Sequence, residues 1–352
     1  MQAASLAFLA LLVIGSLLVI AVKAQYPSFG AGANPIEILT TLVIAGLGIL
    51  RVPVHVGGLT LTVLPLGALL IAGVAIAWST RSAGISTPRG GLRVGLPLAV
   101  LCWIAALVFR HRFDTDPVFA GALGALFWGG VWGASFGWLS TVVHRHRVPR
   151  LGPDLQTAAV VLGGMAALGL GSVLLWIIVA LLRDALPRAF DGGDALASVI
   201  YLVIFGPNIV FALIGFSLGT PLHAGAQVRL SGRAVGRLNE YSMWDWAGRE
   251  PTPTVWLLLL IPSLATIAGG MYARRRAPDG GHPLSLWKAA LLVGVVLGIS
   301  CWLAEARLGA GLLARRGFAE LRTEPLLVAL AASAWTMVGG TLGWLLEERR
   351  GA

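Results

Sequence analysis

The chain has 352 residues, of which 57% are hydrophobic and only 12% are Asp, Glu, Lys or Arg, roughly half the charge of a soluble domain. That composition excludes a soluble enzyme, a disordered chain, a coiled coil and a disulfide scaffold, and predicts an all-α polytopic membrane protein. The net charge of +10 sits in short Arg-bearing loops between apolar runs, which fits orientation against anionic lipid and gives no reason to expect nucleic acid.

A span needs about 20 apolar residues. In chain order the runs are 3–22, 59–78, 92–109, 118–143, 156–182, 254–273, 285–304 and 325–346. The first lacks a basic start and a small-residue cleavage site before Lys23, so it is expected to be a retained span. Two further runs are irregular. Residues 35–50 are short and begin Asn34-Pro35, and residues 195–219 carry Gly206-Pro207-Asn208 in mid-run. Proline removes a backbone donor, and asparagine adds polar groups at depth.

Four stretches recur in the same order. Ala10, Leu12, Gly15, Ser16 and Leu18 match Ala166, Leu168, Gly171, Ser172 and Leu174. Pro53-Val54-His55-Val56-Gly57 matches Pro221-Leu222-His223-Ala224-Gly225. Gly95, Leu98, Cys102, Trp103 and Ala105 match Gly294, Leu297, Cys301, Trp302 and Ala304. Gly133, Gly137, Trp138 and Leu139 match Gly339, Gly343, Trp344 and Leu345. The expectation is two related halves, 1–150 and 151–352, the second carrying an outer-loop insertion at 226–253 that ends in Trp244-Asp245-Trp246.

Charge constrains the topology. Arg81, Arg89 and Arg93 occupy the loop equivalent to Arg274, Arg275 and Arg276. The loop with Arg145, Arg147 and Arg150 is equivalent to the tail with Arg349 and Arg350. Basic loops face the cytoplasm, so equivalent loops share a face and each half has an even number of spans. The chain therefore has eight to ten transmembrane helices. With both irregular runs re-entrant or inside the bundle, there are eight spans, parallel halves and two cytoplasmic termini in the cell (inner) membrane.

Candidate site residues fall in two groups. Asn34, Pro35, Pro207 and Asn208 mark the broken runs, and His55 and His223 follow them. Broken helices from two halves can meet at a central site, where backbone groups bind a solute. A repeated His there could titrate near neutral pH or bind a ligand; the plainer reading is an outer-loop His holding a tight Pro-x-His-x-Gly turn. Gly121, Gly129, Gly133, Gly137, Gly339 and Gly343 form smooth faces for packing within the chain, or against a partner helix or a second copy. Trp128 and Trp132 share a face near that ridge, where they pack or line a cavity. Beyond each His an alternating stretch, Leu59–Val63 and Gln227–Leu230, predicts a short strand or hairpin on the outer face.

The expected chemistry is negative. The spans carry no ionisable residue near their middles, where carriers and pumps keep one. The sequence holds no phosphate loop, no HExxH zinc pair and no GxSxG elbow. Cys102 and Cys301 form no metal or disulfide framework. The chain reads as no enzyme, with no cofactor and no metal.

The stretch Val56-Gly57-Gly58-Leu59-Thr60-Leu61-Thr62-Val63-Leu64-Pro65-Leu66-Gly67 resembles the streptophobe and PerM-type hydrophobic membrane proteins of high-GC Gram-positive bacteria. Gly206-Pro207-Asn208, with Gly215 and Gly219, is similar to their Pro-Asn segment. The two motifs cover about a tenth of the chain, and the resemblance implies an envelope protein that supports division-complex proteins. It supplies no catalytic residue. The leading expectation is a scaffold or stabilising partner of other membrane proteins, held in the bilayer, with a membrane-protein partner or homo-oligomer. The alternative is a channel or transporter for a small neutral or anionic solute, or a lipid, at the two broken helices.

Overall fold

The computed structural model describes the chain except residues 26–34, 57–58, 114–115, 145–151, 183–193, 231–232, 242–252, 278–280, 311–316 and 352. Asn34, Gly57, the arginines at 145, 147 and 150, and Trp244-Asp245-Trp246 lie outside the described residues. The chain is a mostly helical multi-pass membrane protein. Among the described residues six helical segments are long and apolar enough to cross a bilayer: Gln2–Ile20, Pro88–Val108, Pro153–Leu175, Trp256–Arg276, Pro283–Ala304 and Pro325–Arg350. The bundle's flanks expose apolar side chains such as Val74 and Leu330, as contact with lipid requires.

Element order repeats along the chain. Helices Gln2–Gln25 (α1) and Pro35–Gly48 (α2) lead into a hairpin of Val54–Val56 (β1) and Leu59–Val63 (β2). Helix Leu66–Ser82 (α3), a short turn Pro88–Leu92 (α4) and helix Gly95–Val108 (α5) follow. A second hairpin, Arg110–Phe113 (β3) and Asp116–Ala120 (β4), leads to helix Ala122–His144 (α6). The chain then runs through Pro153–Leu182 (α7) and Asp194–Ser217 (α8) to a hairpin of Leu222–Leu230 (β5) and Arg233–Tyr241 (β6). Next come Pro253–Leu258 (α9), Leu260–Arg276 (α10), a 3-10 turn at Pro283–Leu286 and Trp287–Ala304 (α11). A last hairpin, Ala306–Ala310 (β7) and Gly317–Thr323 (β8), precedes Pro325–Gly351 (α12).

The four hairpins form one eight-stranded sheet in the order β3-β4-β1-β2-β7-β8-β5-β6. Every pairing is antiparallel, and β2 meets β7 from Leu59↔Ala310 to Val63↔Ala306. The expected hairpin cap is therefore larger than the sequence suggested. The apolar runs 59–78 and 118–143 each begin as a strand and become a helix only at Leu66 and Ala122. The two histidines are not in tight turns. His55 pairs with Thr60 on one side and Phe119 on the other, and His223 pairs with Glu240 and Arg322.

One sheet fixes the ends of the bundle. The helix ends that adjoin strands lie on the sheet side, so the turns between α3 and α5 and between α10 and α11 lie together at the opposite end. Arg81, Arg89 and Arg93 share that end with Arg274, Arg275 and Arg276. There Arg275 pairs with Glu347 at 2.7 Å and Arg274 with Glu348 at 3.7 Å. Arg276 Nη1 and the Tyr272 hydroxyl both donate to Gln156 Oε1, tying α7, α10 and α12 together.

Among the described residues two large buried clusters fill the bundle. One gathers mainly residues of the first half of the chain, joined by Ala304 of α11, and the other residues of α7 to α12. Helix α8 contributes to both, Ile204 to the first and Val210 and Ile214 to the second, with Phe211 packed against each.

Candidate functional site

The second irregular run, 195–219, breaks at the junction of these clusters, where it packs on the start of α3. Pro207 lies inside α8 and supplies no N–H, so the carbonyl of Val203 has no helical donor. Gly67, at the start of α3, packs on that carbonyl so closely that a Cβ there would overlap the Val203 and Ile204 oxygens. The next residue, Asn208, is buried and makes three hydrogen bonds. Its Oδ1 accepts from the Leu66 N–H at 2.9 Å, one of the unpaired donors at the start of α3. Its Nδ2 donates to the Leu64 carbonyl at 2.7 Å and the Ala304 carbonyl at 3.1 Å. One amide thus caps α3 and ties it to the end of α11. The segments Leu64-Pro65-Leu66-Gly67 and Gly206-Pro207-Asn208, far apart in the chain, are in direct contact.

Arg51 is the buried charge that sequence reasoning missed. After α2 the chain turns back, with the Leu50 N–H bonded to the Leu47 carbonyl and the Arg51 N–H to the Gly48 carbonyl. Arg51 closes the turn in the left-handed region, φ 68°, where only glycine is unstrained. Its guanidinium is buried. It lies 4.1 Å from the centre of the Trp302 ring and 5.5 Å from that of Trp128, and Nη2 donates to the Trp302 carbonyl at 3.2 Å. Trp132 stacks on Trp128 at 5.8 Å and donates from Nε1 to the Leu50 carbonyl at 3.3 Å. The tryptophan pair on α6 therefore holds a cation and its turn. A single charge between two apolar runs, too short a break for a loop, was the available signal.

The same turn recurs after α8. Gly219 has φ 86°, its N–H bonds to the Phe216 carbonyl, and it stands two residues before Pro221 as Arg51 stands two before Pro53. There the left-handed position carries glycine.

Pro35 opens α2, the helical position where a missing N–H costs nothing. His55 Nδ1 lies 3.0 Å from the Thr60 hydroxyl, and its ring stacks on Phe119 at 4.7 Å. Burial holds its pKa below the usual 6.5. His223 Nε2 approaches Glu324 at 3.5 Å. The two histidines sit in separate hairpins and form no common site. Among the described residues no group of three His, Cys, Asp or Glu side chains could hold a metal.

The glycine faces close the bundle on itself. Gly129, Gly133 and Gly137 on α6 meet Cys102, Gly95 and Gly91. Gly339 and Gly343 on α12 meet Thr266 and Ile267 of α10. The Gly121 N–H donates to the Pro53 carbonyl at 2.8 Å, and a Cβ there would make only ordinary contact with Pro53. These faces are therefore occupied within the chain. No protein-family model matches the chain, and neither a curated protein nor a solved structure is similar to it.

Proposed function

We propose that the protein is a non-enzymatic scaffold of the cell membrane, whose bundle holds the eight-stranded sheet as a docking surface for other envelope proteins. The carrying observation is that four hairpins from distant parts of the chain join into one antiparallel sheet at one end of the bundle. A helical bundle in lipid satisfies its own backbone and needs no such sheet. A broad sheet with edges is, in contrast, a common recognition surface. Among the described residues the nine-residue strand β6 pairs on one side only.

The chain is read as two related parallel halves, 1–150 and 151–352. The repeated element order, the repeated strand order and the paired left-handed turns at Arg51 and Gly219 support this. With the arginine-rich end facing the cytoplasm, both termini lie inside and the sheet lies outside. The resemblance noted above points the same way, toward support of division-complex proteins.

The alternative, a channel at the broken helices, draws less support, because the Asn208 amide is taken up by three internal hydrogen bonds. A photoreactive residue placed in cells at Arg110 or Arg322, in the sheet, should give the same discrete protein adduct. One at Val74, 71% exposed on α3, should give none. Flux of a small neutral or anionic solute through liposomes holding the pure protein, with no adduct at either sheet position, would reverse the order of the two readings.

A further inference from the structure

We infer that a crevice beneath the sheet, between α1 and α2, holds one acyl chain of a bilayer phospholipid. Its walls include Leu18 of α1, Ala45 and Gly48 of α2, Val52, Leu61 of β2 and Phe205 of α8. It is half-enclosed, has a volume of about 270 Å³ and has no ionisable side chain in its lining. Leu61 stays 42% exposed although it is a large apolar residue on a strand, so the protein does not fill the space itself.

The crevice exists because α2 is short. Its 14 residues span about 21 Å against a hydrocarbon core of about 30 Å. The helix crosses α1 where Gly15 and Gly46 allow backbone contact, then ends, and the chain reverses at Arg51. A gap is left between the turn, the sheet and the outer half of α1.

Position selects the occupant. Leu18 lies within the membrane-crossing segment Gln2–Ile20. The neighbouring surface is apolar and exposed, with Leu17, Ile20, Ile38 and Leu39 each at least 44% exposed. The opening therefore meets lipid tails. An apolar cavity of this kind does not hold water, and left empty it forfeits dispersion contacts along its walls. At about 270 Å³ it falls below the roughly 300–1,000 Å³ of pockets that enclose a whole ligand. It therefore takes a length of one chain while the headgroup remains outside, beside the sheet.

Glycine at position 48 keeps the space open. A Cβ there would touch only Val54 Cγ2, at 3.4 Å, so Gly48→Leu fills the crevice without moving backbone. Ala45→Leu fills it from the next turn of α2. The full-length protein is reconstituted in phosphatidylcholine and phosphatidylglycerol bilayers containing a phosphatidylcholine with a diazirine in one acyl chain. After illumination, adducts are mapped by mass spectrometry. Adducts at Leu18, Val52 and Phe205 should exceed those at the outward-facing Val13 of the same helix several-fold. Gly48→Leu or Ala45→Leu, with an unchanged unfolding midpoint, should remove the excess and leave Val13 labelling intact. Equal labelling of all four positions, or an excess that survives both substitutions, overturns the inference. So does an excess that a polyprenyl alcohol displaces while added phospholipid does not, because the occupant is then an isoprenoid.

Discussion

Asn208 shows how one polar side chain can fix a fold inside an apolar protein. Truncating it leaves the Leu66 N–H and the Leu64 and Ala304 carbonyls short of partners, and each buried orphan costs about 1–3 kcal/mol. Asn208→Ala should lower unfolding stability in detergent by roughly 2–4 kcal/mol. A loss near zero would show that the amide does not tie the helices. Arg51 separates strain from contact. A non-glycine residue in the left-handed region costs about 1–2 kcal/mol, and a buried cation over tryptophan returns up to about 2 kcal/mol. Arg51→Ala keeps the strain and loses the stack, whereas Arg51→Gly loses the stack and relieves the strain. The glycine variant should therefore be the more stable of the two by about 1 kcal/mol; the reverse order in thermal unfolding would sink the argument. His55 makes the sheet sensitive to acid. Its folded pKa lies below 6.5, so above that pH both states are neutral and nothing is lost. As pH falls through 6.5 the unfolded chain takes up the proton first, and stability declines down to the folded pKa. Stability measured from pH 8 to 5 should fall less in His55→Gln than in the natural chain.

At the scale of elements, glycine decides which helices touch. Gly137 meets the Gly91 backbone, and Gly270 meets that of Gly340. Gly137→Val and Gly270→Val should each reduce the yield of folded protein sharply, since backbone cannot move aside as a side chain can. Gly163 and Gly171 on α7 have nothing within 4 Å, and Gly163→Leu should leave the unfolding midpoint within a few degrees of the original or above it. Spacing in the sequence singled out Gly137 but neither Gly270 nor Gly340, because spacing shows a smooth face and not what lies against it. Strands were legible only in part. The alternation of Leu59–Val63 announced β2, whereas Arg110–Phe113 and Ala306–Ala310 fall just beyond the apolar runs 92–109 and 285–304 and show no such signal. Their identity as strands comes from partners up to hundreds of residues away, such as β7 beside β2.

At the scale of the whole molecule, the sheet makes a topological prediction. Single cysteines at Ser86 and His282, in a chain with Cys102 and Cys301 replaced by alanine, should react alike with an impermeant reagent in intact cells. A cysteine at Arg110 should react from the other side. Opposite labelling of Ser86 and His282 would contradict a single sheet at one end. Composition and run length were enough to establish a multi-pass membrane protein, since a bilayer demands about 20 apolar residues per crossing wherever the chain goes. Proline and asparagine also marked the two broken runs, because both are costly at depth and stand out there. Tertiary structure alone decided what those breaks do. A hydrogen bond from Asn208 to Leu64, the Arg51 guanidinium on Trp302 and the pairing of β2 with β7 join groups far apart in the chain. Local pattern carries no information about such partners, whereas the packed fold brings them within 2.7–4.1 Å.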